Sequence, residues 1–193
     1  YIQHVFIQYF LNIKDNFIMK IVVLKFGGTS VGNIKKIKRV AKIIIDYKKK
    51  NYKVIVVSSA MGGVTNELIK KSFEISDGFS ESEHDVLVSS GEQVACSLIA
   101  GRLIHEGHEA RSWLSWQIPI LTKGKYKNSR INQINKGKIL EYLKKGGIPV
   151  VTGFQGLNDE NRITTIGRGG SDASAIMLAK FFKADRCIIY TDV

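Results

Sequence analysis

The sequence is poor in cysteine and proline, and it lacks a long apolar run. Its 193 residues include two cysteines and two prolines, and there are no repeats, low-complexity tracts or proline-rich linkers. Because a spanning helix needs about 20 mostly apolar residues, we expect no membrane segment. Cys96 and Cys187 are far apart and outside any CxxC motif. This spacing argues against a disulfide framework and predicts two buried thiols in a protein of the reducing cytoplasm.

Acidic residues are also scarce, since 17 Asp and Glu stand against 29 Lys and Arg and give a net charge of +12. Such a charge suits anionic ligands, among them nucleotides and nucleic acids. The lysines are scattered, however, and no basic segment is interleaved with aromatic residues. We therefore interpret the charge as a solvated surface and predict no nucleic-acid partner.

Two kinds of catalytic site have no support in the sequence. The four histidines show no metal-ligand spacing, and there is neither a GxSxG motif nor a paired cysteine and histidine. Nucleophilic hydrolysis by a serine or cysteine is therefore not indicated. We also predict no metal-ligating residues and expect the histidines on the surface.

The start of the chain suggests an added extension, and its end suggests the front part of a longer protein. Residues 1–18 lack the basic start and the cleavage site of a signal peptide, and Met19 directly precedes a strand-like run. We expect residues 1–18 to be a non-native or upstream-translated extension without a function. At the other end, the chain stops at Val193, just after a predicted strand, where a domain would not naturally end.

What the sequence does contain is an alternation of β-branched runs with segments of helical periodicity. The predicted strands cover residues 20–26, 53–58, 109–113, 148–152, 162–166 and 186–191. The predicted helices cover residues 33–50, 65–76, 81–106, 130–145 and 171–183. This order is typical of an α/β domain with a mainly parallel central sheet sandwiched by helices. Since ligands in such sheets bind outside the carboxyl ends of the strands, the loops there should converge on one crevice.

The first glycine-rich loop follows the first predicted strand. Lys25 ends the apolar part of that strand and precedes Gly27 and Gly28, whose bare backbone would let a ligand approach closely. The start of the following helix would present further free amides, an arrangement that suits phosphate. The alternative is a tight turn beside a lysine that reaches solvent.

A second glycine-rich loop opens the helix predicted at 171–183. Arg168 offers a planar fork for a carboxylate or a phosphate, and Asp172 could orient a lysine or a metal-bound phosphate. The alternative is that Ser171 caps the helix while Asp172 complements its dipole. Two such loops, each with a charged residue, together favour phosphate chemistry.

Three further polar residues are candidates for a binding site: Ser59, Thr65 and Glu92. Ser59 and Thr65 are either turn and capping residues or hydrogen-bonding groups for a small polar substrate. Glu92 is either a first-turn residue favoured by a helix dipole or the partner of an ammonium group in the crevice. The residues alone leave these alternatives open.

Six segments in series resemble the aspartokinases of the amino-acid kinase superfamily. They are KFGGTSV (25–31), VVSSAMGGVTN (56–66), SGE (90–92), VTGFQG (151–156), TTIGRGGSDASA (164–175) and YTDV (190–193). Each is modest alone, but the series is specific. KFGGTS with SGE and GRGGSD separates aspartokinases from relatives that act on acetylglutamate, carbamate or uridylate. The resemblance implies an amino-acid kinase-like fold, truncated at its C-terminal side.

The resemblance also implies an activity. The enzyme would phosphorylate the β-carboxylate of L-aspartate with ATP and Mg²⁺, the first step towards lysine, threonine and methionine. Residues 19–193 would be the N-terminal part of the catalytic domain, without the rest of the nucleotide pocket or the ACT regulatory domains. The full-length parent would be a homo-oligomer, and this chain alone would be poorly active.

Residue roles on the phosphate side follow from the same resemblance. Lys25 would stabilise the transferring phosphoryl group, and Asp172 would help to organise the catalytic lysines. The glycines whose amides would approach the phosphates are Gly27, Gly28, Gly169 and Gly170. The beginning of the nucleotide-binding segment would be Thr191 and Asp192.

On the substrate side, the resemblance implies that Arg168 holds the α-carboxylate of aspartate and that Glu92 holds its α-amino group. Ser59 and Thr65 would line the aspartate pocket. Two alternatives remain at this point: a kinase for another amino-acid carboxylate, and a non-catalytic regulatory subunit that binds its ligands without turnover.

Overall fold

The computed structural model describes residues 19–190, so the predictions for residues 1–18 and for Thr191 and Asp192 lie outside the described part. The strands are β1 Ile21–Phe26, β2 Lys53–Ser58, β3 Ala110–Trp113, β4 Ile120–Lys125, β5 Asn128–Ile134, β6 Ile148–Thr152, β7 Gln155–Leu157, β8 Ile163–Thr165 and β9 Arg186–Tyr190. The helices are α1 Ile34–Lys49, α2 Val64–Ile75, α3 Glu81–His105, α4 Gly137–Lys144 and α5 Gly170–Phe182. Within this range no helix combines the length and apolar character needed to cross a membrane.

Five strands form a parallel sheet in the order β3-β6-β2-β1-β9. The central strands β1, β2 and β6 are buried along almost their whole length, which is typical of a parallel sheet covered on both faces. Helices α1 and α3 pack on one face, and α4 and α5 pack on the other. The predicted fold class is therefore confirmed.

Strand β1 divides its side chains between the two cores because successive residues of a strand point to opposite faces. Val22 and Leu24 belong to the core under α1 and α3, whereas Ile21 and Val23 belong to the core under α5. Lys25 continues the second series. Its side chain therefore lies on the α5 side of the sheet, at the end of the strand where α5 begins.

A second sheet, in the order β5-β4-β7-β8, is absent from the prediction. The helix predicted over 130–145 is wrong for residues 130–136, because β5 pairs there antiparallel with β4 and α4 starts only at Gly137. Ile131 and Ile134 have a spacing that also fits a helix, and the cross-strand pairing decides between the two structures. Strand β7 is only three residues long, too short for a periodic signal.

The two cysteines differ in burial. Cys96 lies fully inside the core between α3 and the sheet, as predicted. Cys187 is exposed, so the prediction of a second buried thiol is wrong. It lies on β9, which is the outer strand of the central sheet within the described residues, and β9 is covered less completely than β1.

Candidate active site

A crevice of about 310 Å³ opens at the carboxyl ends of β1, β2 and β6, between the starts of α2 and α5. Most of the predicted site residues line it: Lys25, Gly28, Ser59, Thr65, Glu92, Arg168, Gly169, Gly170 and Asp172. The loops after several strands thus converge on one place, as the strand order of an open α/β sheet requires.

The base of the crevice holds an ion pair. The Nζ atom of Lys25 lies 2.6 Å from Oδ1 of Asp172, and the two side chains are 8% and 42% exposed. Lys25 therefore does not reach into solvent, and the alternative of a surface lysine beside a turn is wrong. A buried ammonium group needs a partner, and Asp172 supplies one from the first turn of α5, where the helix dipole also favours a carboxylate.

The start of α5 presents free amides to the crevice. Its N-cap is Gly169, with a φ of +75° that glycine adopts without strain. No side chain caps this helix, so the alternative in which Ser171 is the cap is wrong. The N–H groups of Gly170 and Ser171 have no hydrogen-bond partner within residues 19–190. Together with the helix dipole, these amides form a site suited to an anion.

The loop after β6 packs tightly against this helix start. A Cβ atom at Gly153 would lie 2.9 Å from Cβ of Ser171, and one at Gly170 would lie 2.7 Å from Cδ2 of Phe154. Ser174 Oγ accepts a hydrogen bond from the N–H of Phe154 at 3.0 Å and donates one to the Gly170 carbonyl at 2.8 Å. Glycine is needed at both positions because the two loops approach so closely.

The two glycines after β1 have different surroundings. The N–H of Gly27 donates to the Tyr190 carbonyl at 3.0 Å, so this amide is used by the sheet, and Gly27 does not line the crevice as Gly28 does. A Cβ atom at Gly28 would lie 3.1 Å from the Ala60 carbonyl oxygen. Gly28 therefore permits a close approach of the β1 and β2 loops.

Helix α1 does not contribute its amides to the crevice, contrary to the prediction. It starts only at Ile34, and the side chain of Asn33 caps it by accepting from the N–H of Lys36 at 2.9 Å. The residues of its first turn do not line the crevice. The helices that begin there are α2 and α5.

Glu92 is the buried carboxylate of the crevice, only 2% exposed. It lies in the middle of α3, so the alternative of a first-turn dipole residue is wrong. Its Oε1 accepts from the N–H of Ala60 at 3.0 Å, whereas its Oε2 has no partner in the described part of the chain. Burial raises the pKa of Glu92 to about 7, because a low-dielectric site disfavours the charged form. The arrangement would accommodate an ammonium group at Oε2.

Gly91 brings this carboxylate close to the α2 loop. A Cβ atom at Gly91 would lie 2.8 Å from Cβ of Ala60 and 3.2 Å from Cγ1 of Val64. Ser59 and Thr65 lie on the same side of the crevice, just after β2 and in the first turn of α2. Both are partly buried, and both hydroxyl groups are of a kind that can donate to and accept from a small ligand.

Arg168 lines the crevice from the loop before α5. It is exposed, and its guanidinium group has no ion-pair or hydrogen-bond partner within residues 19–190. The crevice therefore offers a cationic fork, a buried ammonium group and free amides together with one buried carboxylate. This charge pattern suits a small zwitterion placed next to a phosphate group.

Phe154 and Ser171 are among the lining residues that were not predicted as ligand-facing. Phe154 has a φ of +67°, an unusual value for a residue other than glycine. The sequence does hold a signal that could have placed Phe154 and Ser171 in the site, since each of them follows a glycine in one of the loops after a strand. Composition and periodicity give no such signal, because they do not report on loop conformation.

The fold and the crevice define an α/β protein with an anion site at the carboxyl ends of its parallel strands. A family model described as "Amino acid kinase family" matches residues 20–193. The chain therefore belongs to the amino acid kinase family.

The curated proteins to which this chain is similar include aspartokinases. The chain is 48% identical to the aspartokinase of Rickettsia conorii over 178 residues, which is 91% of this chain and 44% of that protein. It is 46% identical to aspartokinase 2 of Bacillus subtilis over 175 residues, with 91% and 43% covered. The chain thus spans less than half the length of these relatives.

Solved structures give the same picture. Aspartokinase III of E. coli, in complex with aspartate and ADP, matches with a TM-score of 0.78 at 26% identity, with 90% of this chain and 49% of that chain covered. The aspartate kinase of Synechocystis matches with a TM-score of 0.77 at 40% identity, with 89% and 28% covered. A carbamate kinase of Giardia lamblia, at 15% identity and a TM-score of 0.65, shares the fold alone.

Proposed function

We propose that this protein acts as an aspartate kinase, which transfers the γ-phosphoryl group of ATP to the β-carboxylate of L-aspartate. The observation that carries the proposal is the joint placement of three groups in one crevice. Lys25 offers a cation to a phosphoryl group, Arg168 offers a fork to an α-carboxylate, and Glu92 offers a carboxylate oxygen to an α-ammonium group. The similarity to aspartokinases over 91% of the chain supports it.

On the phosphate side, the chain supplies charge and position. Lys25, held by Asp172, would neutralise the charge that develops on the transferring group, and the amides at Gly28, Gly169 and Gly170 would orient the phosphates. Phosphoryl transfer depends mainly on such positioning and electrostatic stabilisation. The attacking β-carboxylate is already ionised at neutral pH, so the reaction needs no general base.

On the substrate side, two opposite charges orient the amino acid. Arg168 would bind the α-carboxylate through two parallel N–H donors, and Glu92 Oε2 would accept from the α-ammonium group. Ser59 and Thr65 would complete the pocket. With its two α-substituents bound in this way, the substrate would have its β-carboxylate free to face Lys25.

Mg²⁺ fits this donor set as a companion of ATP. The residues 19–190 contain no group of three or more side chains that could ligate a metal, and Mg²⁺ is commonly held by substrate phosphates with one or two carboxylates. Asp172, partly exposed at the crevice, is the carboxylate that would face such an ion. When bound, Mg²⁺ would neutralise phosphate charge.

Substrate analogues test the proposal in the full-length protein. Succinate is aspartate without the α-amino group, and β-alanine is aspartate without the α-carboxylate. We expect kcat/KM to be at least about a thousandfold lower for succinate than for aspartate, because the buried carboxylate of Glu92 would be left unpaired. For β-alanine we expect a loss of about a hundredfold, because the group left unpaired is the exposed Arg168. Arg168→Ala should lower kcat/KM for aspartate by about a hundredfold and leave that for β-alanine almost unchanged.

The matched control is Arg162→Ala, which removes an exposed arginine that pairs with Glu83 away from the crevice. It should leave all three substrates unaffected. An equal loss for aspartate and β-alanine in Arg168→Ala would contradict the role of Arg168. Preference for another amino acid would contradict the aspartate assignment, and a folded protein that binds ATP without turnover would instead indicate a regulatory subunit.

A further inference from the structure

Asp85 is a second buried carboxylate in α3, fully inaccessible to solvent. Its two oxygens accept from the N–H of Thr165 at 2.7 Å, from the Thr165 hydroxyl at 2.8 Å and from the N–H of Lys127 at 2.9 Å. His84 Nδ1 is 3.5 Å away. No lysine or arginine pairs with Asp85 in the described residues, so hydrogen bonds from neighbouring segments satisfy this carboxylate.

The groups that Asp85 binds adjoin the substrate side of the crevice. Thr165 is the last residue of β8, three positions before Arg168. Lys127 lies in the turn between β4 and β5, with a φ of +62°. One carboxylate therefore joins helix α3, the β4–β5 turn and the strand that leads into the Arg168 loop.

The start of β5, directly after this turn, also contacts the segment before Arg168. Ser129 Oγ donates to the Thr165 carbonyl at 2.9 Å, and Ser129 also forms a parallel bridge with Ile166. A Cβ atom at Gly167 would lie 2.8 Å from Oδ1 of Asn128. The backbone from residue 165 to residue 167 is thus flanked by the start of β5, and Asp85 binds both Thr165 and the turn that precedes β5.

Asp85 and Glu92 are seven residues apart on α3, which is close to two helical turns, so they lie on the same face about 10 Å apart along the axis. Glu92 lines the crevice directly, whereas Asp85 binds β8, the strand before the Arg168 loop. The helix therefore links the two groups that would hold the α-ammonium and the α-carboxylate of one substrate.

We propose that Asp85 is a positioning residue that sets the placement of Arg168 relative to Glu92 and thereby controls affinity for the amino-acid substrate. This inference rests on the proposed function. Removing the carboxylate leaves the buried N–H of Thr165 and the partly buried N–H of Lys127 without an acceptor, and the strand before Arg168 should shift to recover one. The phosphate side, built on Lys25 and α5, does not contact Asp85.

The test compares Asp85→Ala and Asp85→Asn in the full-length protein, each alone and combined with Arg168→Ala. Asn keeps one acceptor oxygen for the backbone N–H groups and loses the charge. We expect KM for aspartate to rise about fiftyfold in Asp85→Ala and about fivefold in Asp85→Asn, with KM for ATP changed less than about threefold. In the Arg168→Ala variant, either change at Asp85 should raise KM for aspartate less than about twofold above the value for Arg168→Ala alone.

The control is Glu81→Gln, which removes an exposed carboxylate 3.7 Å from the side chain of the same Lys127 and should leave both KM values unchanged. Effects of Asp85 and Arg168 that simply multiply, or an equal rise in both KM values, would overturn the positioning role. If Asp85→Ala does not fold, the comparison of Asp85→Asn alone with Asp85→Asn combined with Arg168→Ala tests the positioning role in the same way. Absence of aspartate-dependent turnover in the unchanged protein would instead contradict the proposed function.

Discussion

Under the proposed function, we predict that Glu92 makes the binding of aspartate depend on pH in a defined direction. Its Oε2 has no hydrogen-bond partner among residues 19–190, and burial raises its pKa to about 7. An α-ammonium group needs the ionised carboxylate, whereas the protonated form offers no charge and one acceptor fewer. The α-ammonium group of free aspartate stays charged from pH 6 to pH 8. Over that range, affinity should therefore rise with pH as Glu92 loses its proton.

The size of the effect follows from the raised pKa. If only the ionised form binds, the apparent dissociation constant scales with one plus the ratio of the proton concentration to the acid constant. With a pKa of about 7, aspartate should bind about tenfold more weakly at pH 6 than at pH 8. Binding at pH 7 should release about half a proton, because about half of the free protein carries a proton on Glu92.

Isothermal titration calorimetry on the full-length protein measures both quantities. Titrations of aspartate without nucleotide give the dissociation constant, and buffers of different ionisation enthalpy give the number of protons released. Lys25, Arg168 and Asp172 also carry charge in the crevice, so Glu92→Gln is the control and should bind weakly with no pH dependence. A flat affinity in the unchanged protein, or the same slope in Glu92→Gln, would refute the reasoning.

Two further predictions concern stability, measured by chemical denaturation. Because the folded pKa of Glu92 lies above its unfolded value of 4.5, its contribution is greatest at acidic pH and is lost as pH rises through 7. The unfolding free energy relative to Glu92→Gln should thus fall by roughly 2 kcal/mol from pH 5 to pH 8, and a difference that rises with pH would contradict this. Gly91→Ala should destabilise by about 1–3 kcal/mol, because the new Cβ would lie 2.8 Å from Cβ of Ala60. Gly101→Ala in the same helix, where the new Cβ would meet no atom within 4 Å, should raise the unfolding free energy by about 0.5–1 kcal/mol. Equal effects of the two substitutions would contradict the packing argument.

The central sheet was predictable because its strands are continuous apolar runs bounded by glycine and serine. β2, for example, is buried from Val54 to Ser58, and no amphipathic helix would have that pattern. The second sheet was not predictable in the same way. β5 places Ile131 and Ile134 among polar residues, and its identity depends on pairing with β4 rather than on local preference.

The candidate site was predictable to the extent that charged residues adjoin glycine-rich loops. Lys25 and Asp172 could be named from the sequence. Their ion pair could not, because it forms only if α5 packs on the face of β1 to which Lys25 points. Glu92 and Asp85 differ in another way. The predicted helix over 81–106 already places Glu92 away from a helix start, and the structure confirms that α3 begins at Glu81. Nothing in the sequence marks Asp85, whose partners lie 42 and 80 residues away.

The central claim is that Lys25 assists phosphoryl transfer to aspartate. The most direct measurement is aspartyl hydroxamate formation from Mg·ATP, L-aspartate and hydroxylamine by the full-length protein. It should be compared with Lys25→Ala and with Lys180→Ala, which changes an exposed lysine of α5. We predict aspartate-dependent hydroxamate, a loss in kcat of about a hundredfold to a thousandfold in Lys25→Ala, and no loss in Lys180→Ala. A folded, ATP-binding protein that forms no aspartate-dependent hydroxamate, or an unchanged kcat in Lys25→Ala, would contradict the account.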